Sequence, residues 1–542
     1  MTTAAPTIAP RLTTASPIDA LLEADGYKLD HRRAYGDDVT KILINWTNRS
    51  NKHLPEAKHA VAFGLQAFCQ SYLTEAWAPF FAADEDLVAN EYERVLGAYL
   101  GPNNIGSDHV RALHRLGYLP LEVRAVPEGT LLPFGVAALT IENTDPEFFW
   151  LPNYIETALS ASIWHPATTA TIALLFRELF EEWAKRTGGD LAAVDFQAHD
   201  FSMRGQTSIT SAAASGAGHL TSFLGTDTLP SIRFIDRYYP GDNGWVAASV
   251  PATEHSVMCL RGKDGELDTF KHLLNLYPAG IVSAVSDGFD FFGVLTGTLP
   301  TLKDQIMARD GKLVIRPDSG DPVDIICGEY DPSVDNIGQP QLDAQRASVR
   351  AHYDSEKAAG RLSNEQLGAI EILGDVFGYT VNEAGYKVLD PHIGLIYGDS
   401  ITLDRAKRIF ERLEAKGWAS TNVVLGIGSF TYQRQTRDSL GSAVKATWAE
   451  VDAAPVDIQK DPATGRDPIT GESKKSAKGR LALTRDETGE IVMIQQATPE
   501  QEAASLLQPV WRDGAFVVIQ SFEDVRSTLR AERAARAART GR

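Results

Sequence analysis

The sequence predicts an α/β protein built around a (β/α) barrel, and the prediction rests first on strand ends. Six apolar runs each finish in polar or glycine residues: AVDFQAHDFSMRG at His199, Asp200 and Arg204, WVAASVPATEHS at Glu254 and His255, GIVSAVSDGFD at Asp287, KLVIRPDSGDP at Arg316 and Asp318, HIGLIYGDS at Gly398 and Asp399, and VVLGIGSF at Gly428. In a parallel barrel the C-terminal strand ends share one mouth, and that mouth carries the active site. The second observation is length. A chain of 542 residues exceeds the roughly 250 that a barrel takes, so a second domain, consecutive or intertwined, is expected. The third is spacing, because the one long gap between strand ends, from 316 to 398, holds a polar stretch at about 328–364 that reads as a surface insertion.

Composition narrows the function. With 43% hydrophobic and 23% charged residues the chain reads as an ordinary globular protein. A formal net charge of −19 argues against nucleic acid as the main partner, since a phosphate backbone needs a basic face. Small phosphorylated ligands remain open, because a local cluster of Arg, Lys and backbone N–H groups is enough for them. Cys69, Cys259 and Cys327 lie far apart with no CxxC spacing, which suggests neither a zinc site nor a disulfide framework and points to a reducing compartment. No run approaches the roughly 18 apolar residues that span a membrane, and no secretory leader is visible. A cytoplasmic location is the expectation.

Taken in order, residues 1–16 are small, Thr-rich and Pro-punctuated, and read as a disordered leader. The segment from Lys460 to Arg480, rich in Pro, Gly and Lys, reads as a loop. Residues 523–542 read as a short basic helix, with 527–542 a solvated tail. At the strand ends each residue has a bland reading beside a functional one. His255 is a polar loop residue, or an imidazole facing the same mouth as Asp287, Arg316 and Asp318 and suited to act as base or phosphoryl acceptor. Asp287 and Asp318 are helix N-caps, or a carboxylate pair for a Mg²⁺ that keeps its waters and bridges phosphate oxygens. Gly398-Asp399 and the glycines up to Gly428 are plain turns, or a phosphate cradle of exposed N–H groups. Phe201 is core, or a flat platform with Arg204 as an anion clamp beside it. The residues alone therefore point to a phosphorylated sugar or nucleotide as substrate and leave the reaction open.

Collinear motifs go further. DGYKLDH (Asp25 to His31), AFGLQAF, TIENTDPEFFWLPNYIET, HDFSMRG, GTDT, SVPATEHS, VSDGFDFF, IRPDSGDP, YGDSI, TRD (Thr436 to Asp438) and KGRLAL resemble the nicotinamide phosphoribosyltransferases, from about Ile18 to Arg526. The resemblance implies a type II phosphoribosyltransferase fold. An α/β barrel (191–434) is combined with an open α+β domain built from both chain ends, 17–190 and 435–526, as an obligate homodimer with shared active sites. It implies transfer of the 5-phosphoribosyl group from phosphoribosyl pyrophosphate to nicotinamide in NAD salvage, with Mg²⁺, and with ATP hydrolysed through a phosphohistidine at His255.

By the same resemblance, catalysis and metal binding fall on His255, Asp287 and Asp318. The nicotinamide ring lies between Phe201 and the neighbouring subunit's Tyr27, near Asp25, and its carboxamide is held by Asp227. Arg316 binds substrate, Arg204 with Gly398, Asp399, Gly428 and Ser429 holds the 5′-phosphate, with Arg437 reaching in from the neighbouring subunit, while Arg49, Lys460 and Lys478 touch pyrophosphate or ATP. Two departures stand out: GIGSF puts Ser429 and Phe430 where further glycines are usual, and Gly26 after Asp25 should loosen the turn presenting Tyr27. A nicotinate or quinolinate phosphoribosyltransferase is disfavoured by Asp227, whose charge repels those acids. A non-catalytic signalling protein is the remaining alternative, opposed by the intact acids and His255.

Overall fold

The structure, a computed structural model, describes residues 16–330, 339–398, 400–460 and 476–540. The expected leader, Asp399 and most of the loop after Lys460 lie outside the described residues. The chain divides into two compact units, 1–164 with 238–241 and 437–542, and 165–237 with 242–436. The division falls inside the helix Glu156–Arg186, next to its internal Pro166.

The second unit holds a six-stranded parallel sheet. Its strands run in the order Gly225–Thr226, Ala198–Asp200, Val423–Ile427, Ile393–Tyr397, Asp310–Arg316 and Ala279–Val285. Pairings such as His199 with Gly225, Gly426 with His199 and Val285 with Arg316 bring the C-terminal ends to one edge. The run WVAASV, expected as a strand, is not one. It makes only isolated parallel pairings, Ala248 with Gly225 and Ala252 with Ser283, and Pro251 explains part of the difference, since it has no N–H to donate to a ladder. Its backbone still bonds both edge strands. Ala248 O accepts from Thr226 N–H at 3.0 Å, and Thr253 N–H donates to Ser283 O at 3.0 Å. The curled sheet is thus bridged where its two edges would otherwise be open.

Helices follow the strands: Ile209–Leu220, Leu299–Met307, Pro322–Cys327 and Leu403–Ala415. Three of the four starts carry a side-chain cap. Ser208 accepts from Ser211 N–H, Asp321 from Val323 and Asp324 N–H, and Thr402 from Arg405 N–H. Within the expected insertion, residues Gln339–Ala358 form a helix. Lys357 from that helix and Lys387 both reach the buried Glu371, at 2.5 and 2.9 Å, and the Trp418 indole donates to its other oxygen at 2.6 Å.

The first unit holds a seven-stranded antiparallel sheet assembled from both chain ends. The strand Val39–Asn48 lies between Ser442–Val451 and Ala137–Asn143, and Leu121–Ala125 lies between Ala137–Asn143 and Gln508–Arg512. The tail expected to be solvated belongs to a helix, Phe522–Thr540, with Phe522, Val525 and Leu529 buried. Arg539 donates to Glu490 at 2.8 Å, and Arg485 pairs with Glu532. Counting its arginines suggested solvation; the apolar residues spaced along one face carry the docking. No helix among the described residues is long and apolar enough to cross a membrane.

The Glu371 cluster gives a stability test. Burial pushes this carboxyl up, but Lys387 and Lys357 outweigh it and hold the group down to about 2. A depressed carboxyl stabilises the fold above the unfolded value of 4.5, and that contribution is lost as pH falls toward 2. Glu371→Gln should cost about 3–5 kcal/mol by leaving the buried Lys387 without its anion, while Lys357 keeps Asp375 at 2.7 Å. Urea unfolding at neutral pH would read the loss, and the variant should be less sensitive to acid between pH 4.5 and 2.

Candidate active site

The strand-end residues of the second unit form a connected chain of contacts. Asp287, two residues past the strand Ala279–Val285, is almost fully buried, and its Oδ2 accepts from Asp318 N–H at 2.9 Å. The Asp318 carboxylate accepts from Arg316 Nη2 at 3.1 Å. The Arg316 guanidinium lies over the Phe201 ring, 4.7 Å from its centroid, in a cation–π arrangement. Phe201 packs on His199 with ring centroids 4.6 Å apart. Finally, His199 Nε2 stands 2.9 Å from Asp227 Oδ1, and the Ser249 hydroxyl donates to the same oxygen at 2.7 Å.

These contacts count against several of the bland readings. Asp287 and Asp318 are not caps, because Asp290 caps the turn after the first strand and Asp321 caps the helix after the second. Phe201 is only half-buried, so it is not plain core. Burial pushes the Asp227 carboxyl up, but the His199 contact, the Ser249 hydroxyl and the Arg316 charge outweigh it and hold the group below the usual aspartate range. Asp227 is therefore an anion at neutral pH. Arg316 Nε is buried without a hydrogen-bond partner. His255 Nε2 approaches Asp287 Oδ1 at 3.3 Å without hydrogen-bond geometry, so that oxygen too is a buried acceptor left unsatisfied. Orphaned polar atoms of both signs in one mouth call for a polar ligand.

Glycines set the close approaches. A Cβ on Gly398 would stand 1.8 Å from Asp318 Oδ1 and 2.7 Å from Arg316 Nε. A Cβ on Gly205 would stand 2.0 Å from Ser429 Oγ, which puts the HDFSMRG turn against the turn starting at Gly428. Arg204, in the HDFSMRG turn just before Gly205, is exposed and has no partner among the described residues. Asp399 lies outside the described residues. Among the described residues no group of three His, Cys, Asp or Glu side chains is placed to hold a metal. Asp287 and Asp318 do suit a Mg²⁺ that arrives with phosphate oxygens and keeps its waters, because such an ion needs only one or two carboxylates, and Asp287 Oδ1 is an unsatisfied donor atom for it.

The other expected residues lie in the first unit. Tyr27 is 66% exposed; its hydroxyl donates to Asp25 Oδ2 at 3.1 Å, and Thr157 Oγ1 donates to that oxygen at 2.7 Å. Gly26 does not loosen this turn, contrary to expectation. A Cβ there would fall 2.2 Å from the Tyr99 hydroxyl, so glycine permits the close packing, and Thr157 clamps the turn from the other side. Arg49 donates to Gly441 O at 3.0 Å, Lys478 Nζ lies 3.7 Å from Asp457, and Arg437 is exposed. One residue was missed. Lys445 has its ammonium held below the ordinary lysine value, first by desolvation and then by Arg49, Lys460 and Arg437, with Glu156 opposing. Positive charge from Arg49, Lys460 and Arg437 therefore acts on Lys445. In the sequence Lys445 reads as the exposed position of an alternating strand, which is why spacing did not find it.

The class of protein follows from comparison with this geometry in view. The model of the nicotinate phosphoribosyltransferase (NAPRTase) family matches residues 196–514. The nicotinamide phosphoribosyltransferase of Acinetobacter baylyi is 42% identical over 95% of this chain and 97% of its own. The enzyme of the same name from Xanthomonas campestris pv. campestris is 33% identical over 95% and 98%. The nicotinate-nucleotide pyrophosphorylase of Pyrococcus furiosus shares the fold, with a TM-score of 0.53 at 14% identity over 97% of this chain and 99% of that one. The chain belongs to the nicotinate phosphoribosyltransferase family and is an enzyme of phosphoribosyl transfer with the type II fold.

Gly398 offers a direct test of the mouth. Gly398→Ala should displace Asp318 and Arg316 and lower the transfer rate by on the order of 10²-fold, as a misplacement of about 1 Å in an active site does. The melting temperature should change little, since the strain falls on groups at the mouth; steady-state kinetics beside a thermal melt would check both.

Proposed function

We propose that this protein joins nicotinamide to the 5-phosphoribosyl group of phosphoribosyl pyrophosphate, giving nicotinamide mononucleotide and pyrophosphate, with ATP hydrolysis coupled through phosphorylation of His255. The observation that carries the reading is Asp227. It is held as an anion, with one oxygen engaged twice, next to the His199–Phe201 ring pair. A carboxylate there accepts from a carboxamide NH₂ and repels the carboxylate of nicotinate by several kcal/mol where both are desolvated. The names of the relatives agree with it.

The chain's own residues then divide the work. Phe201 offers the ring platform, and Asp227 orients the carboxamide so that the ring nitrogen faces the ribose. As pyrophosphate departs, the ribosyl carbon becomes oxocarbenium-like, and fixed carboxylates at Asp287 and Asp318 stabilise that charge. Mg²⁺ bound at those two acids would neutralise the leaving group. Arg204 with Gly398, Asp399, Gly428 and Ser429 would hold the 5′-phosphate. Arg49, Lys445, Lys460 and Lys478 would take pyrophosphate or ATP phosphates, with Tyr27 and Arg437 supplied by a second subunit. The His255 imidazole attacks the γ-phosphorus of ATP and ADP leaves. The phosphoryl group adds about two negative charges beside Asp287 and Asp318, which draws Mg²⁺ in and preorganises the leaving-group site.

Three measurements test this. Asp227→Asn should cost about 2–4 kcal/mol of transition-state binding for nicotinamide and raise turnover of nicotinate; unchanged kcat/KM for nicotinamide sinks the specificity argument. His255→Ala should take up no label from γ-labelled ATP yet keep slow, ATP-independent synthesis, and a variant labelled as well as wild type removes His255 from the mechanism. Mixing Tyr27→Ala and His255→Ala protomers, neither of which should show ATP-stimulated synthesis alone, should restore part of that activity after subunit exchange. No recovery after verified exchange would count against shared sites.

A further inference from the structure

We infer that His199 is a specificity-determining positioning residue, acting through Asp227 to separate a carboxamide from a carboxylate; the inference rests on the function proposed above. His199 sits in a strand paired on both sides, with Gly225 and with Gly426, so its backbone is fixed. Gly225 makes room for the ring, since a Cβ there would fall 2.9 Å from His199 Nδ1. With its proton on Nε2 the imidazole donates to Asp227 Oδ1 at 2.9 Å, and Ser249 donates to the same oxygen at 2.7 Å. Two donors on one oxygen fix the plane of the carboxylate and leave Oδ2 as the acceptor for a ligand. A carboxamide donates to it; a carboxylate has no proton to give.

The alternative partner for Asp227 is also in the mouth. Arg316 acts electrostatically on Asp227, and its Nε has no hydrogen-bond partner. Its Nη2 is taken by Asp318, so an Asp227 released from His199 would compete for the free Nε, and an ion pair formed there would no longer repel an acid. His199 thus keeps the anion unpaired and facing the ligand. Its role differs from packing, although it does pack on Phe201.

The test compares steady-state kinetics with nicotinamide and with nicotinate for the full-length protein and three variants. His199→Phe keeps a ring against Phe201 but has no donor. It should raise KM for nicotinamide about tenfold, keep kcat within about threefold, and narrow the preference for nicotinamide about tenfold, as expected for a lost hydrogen bond to a charged group. His199→Gln, whose amide nitrogen has the same reach as Nε2, should recover KM and preference to within about threefold of wild type. Ser249→Ala, at an exposed position, should move both in the same direction by about threefold. Equal losses in the Phe and Gln variants would reduce His199 to packing and overturn the inference. So would an unchanged preference in either His199→Phe or Ser249→Ala. A wild-type protein that forms no nicotinamide mononucleotide would instead overturn the proposed function, before any variant is compared.

Discussion

A carboxylate taken out of water at a strand end organises the mouth of the parallel sheet. Asp287 is almost wholly buried, and its Oδ2 is met by a backbone N–H, that of Asp318. A buried anion that lacked this bond would be costly, so the RPDS turn is held where it can supply the donor. The turn in turn fixes the Asp318 carboxylate, which fixes Arg316, which lies on Phe201. Three strand ends are thereby set relative to one another by charge-assisted and cation–π contacts.

The same contacts explain why the mouth is reactive rather than merely stable. Each charged group in it is paired on one side and short of partners on another. Asp287 has an unsatisfied Oδ1, Arg316 an unsatisfied Nε, and Asp227 one oxygen engaged twice. Such a site is preorganised, since no protein group has to turn when charge develops on a ligand. Glycine at 398 is the steric condition for it, as any side chain would displace the acid and the guanidinium together.

Much of this was legible in the sequence, for a physical reason. A parallel strand is a short apolar run, and the residue that ends it is placed by the fold, so strand ends at Asp200, Asp287, Arg316, Gly398 and Gly428 could be read directly. The WVAASV run was misread because apolar character alone does not distinguish a ladder from an irregular segment that borrows hydrogen bonds from two edges. Lys445 escaped because one of the cations acting on it, Arg49, comes from the other end of the chain, and the His199–Asp227 contact because it spans 28 positions.

The antiparallel sheet carries a consequence for biosynthesis. Its strand Val39–Asn48 pairs with Ser442–Val451, so the two halves of that ladder emerge from the ribosome roughly 400 residues apart. At about 5–20 residues per second the earlier strand waits tens of seconds with an unpaired edge, a template for pairing with other chains. Contacts of such sequence separation also fold slowly, because a long loop must close before they form. This sheet is therefore completed only after synthesis is nearly finished, and nascent chains stalled before residue 442 are the species most exposed to aggregation and to capture by chaperones.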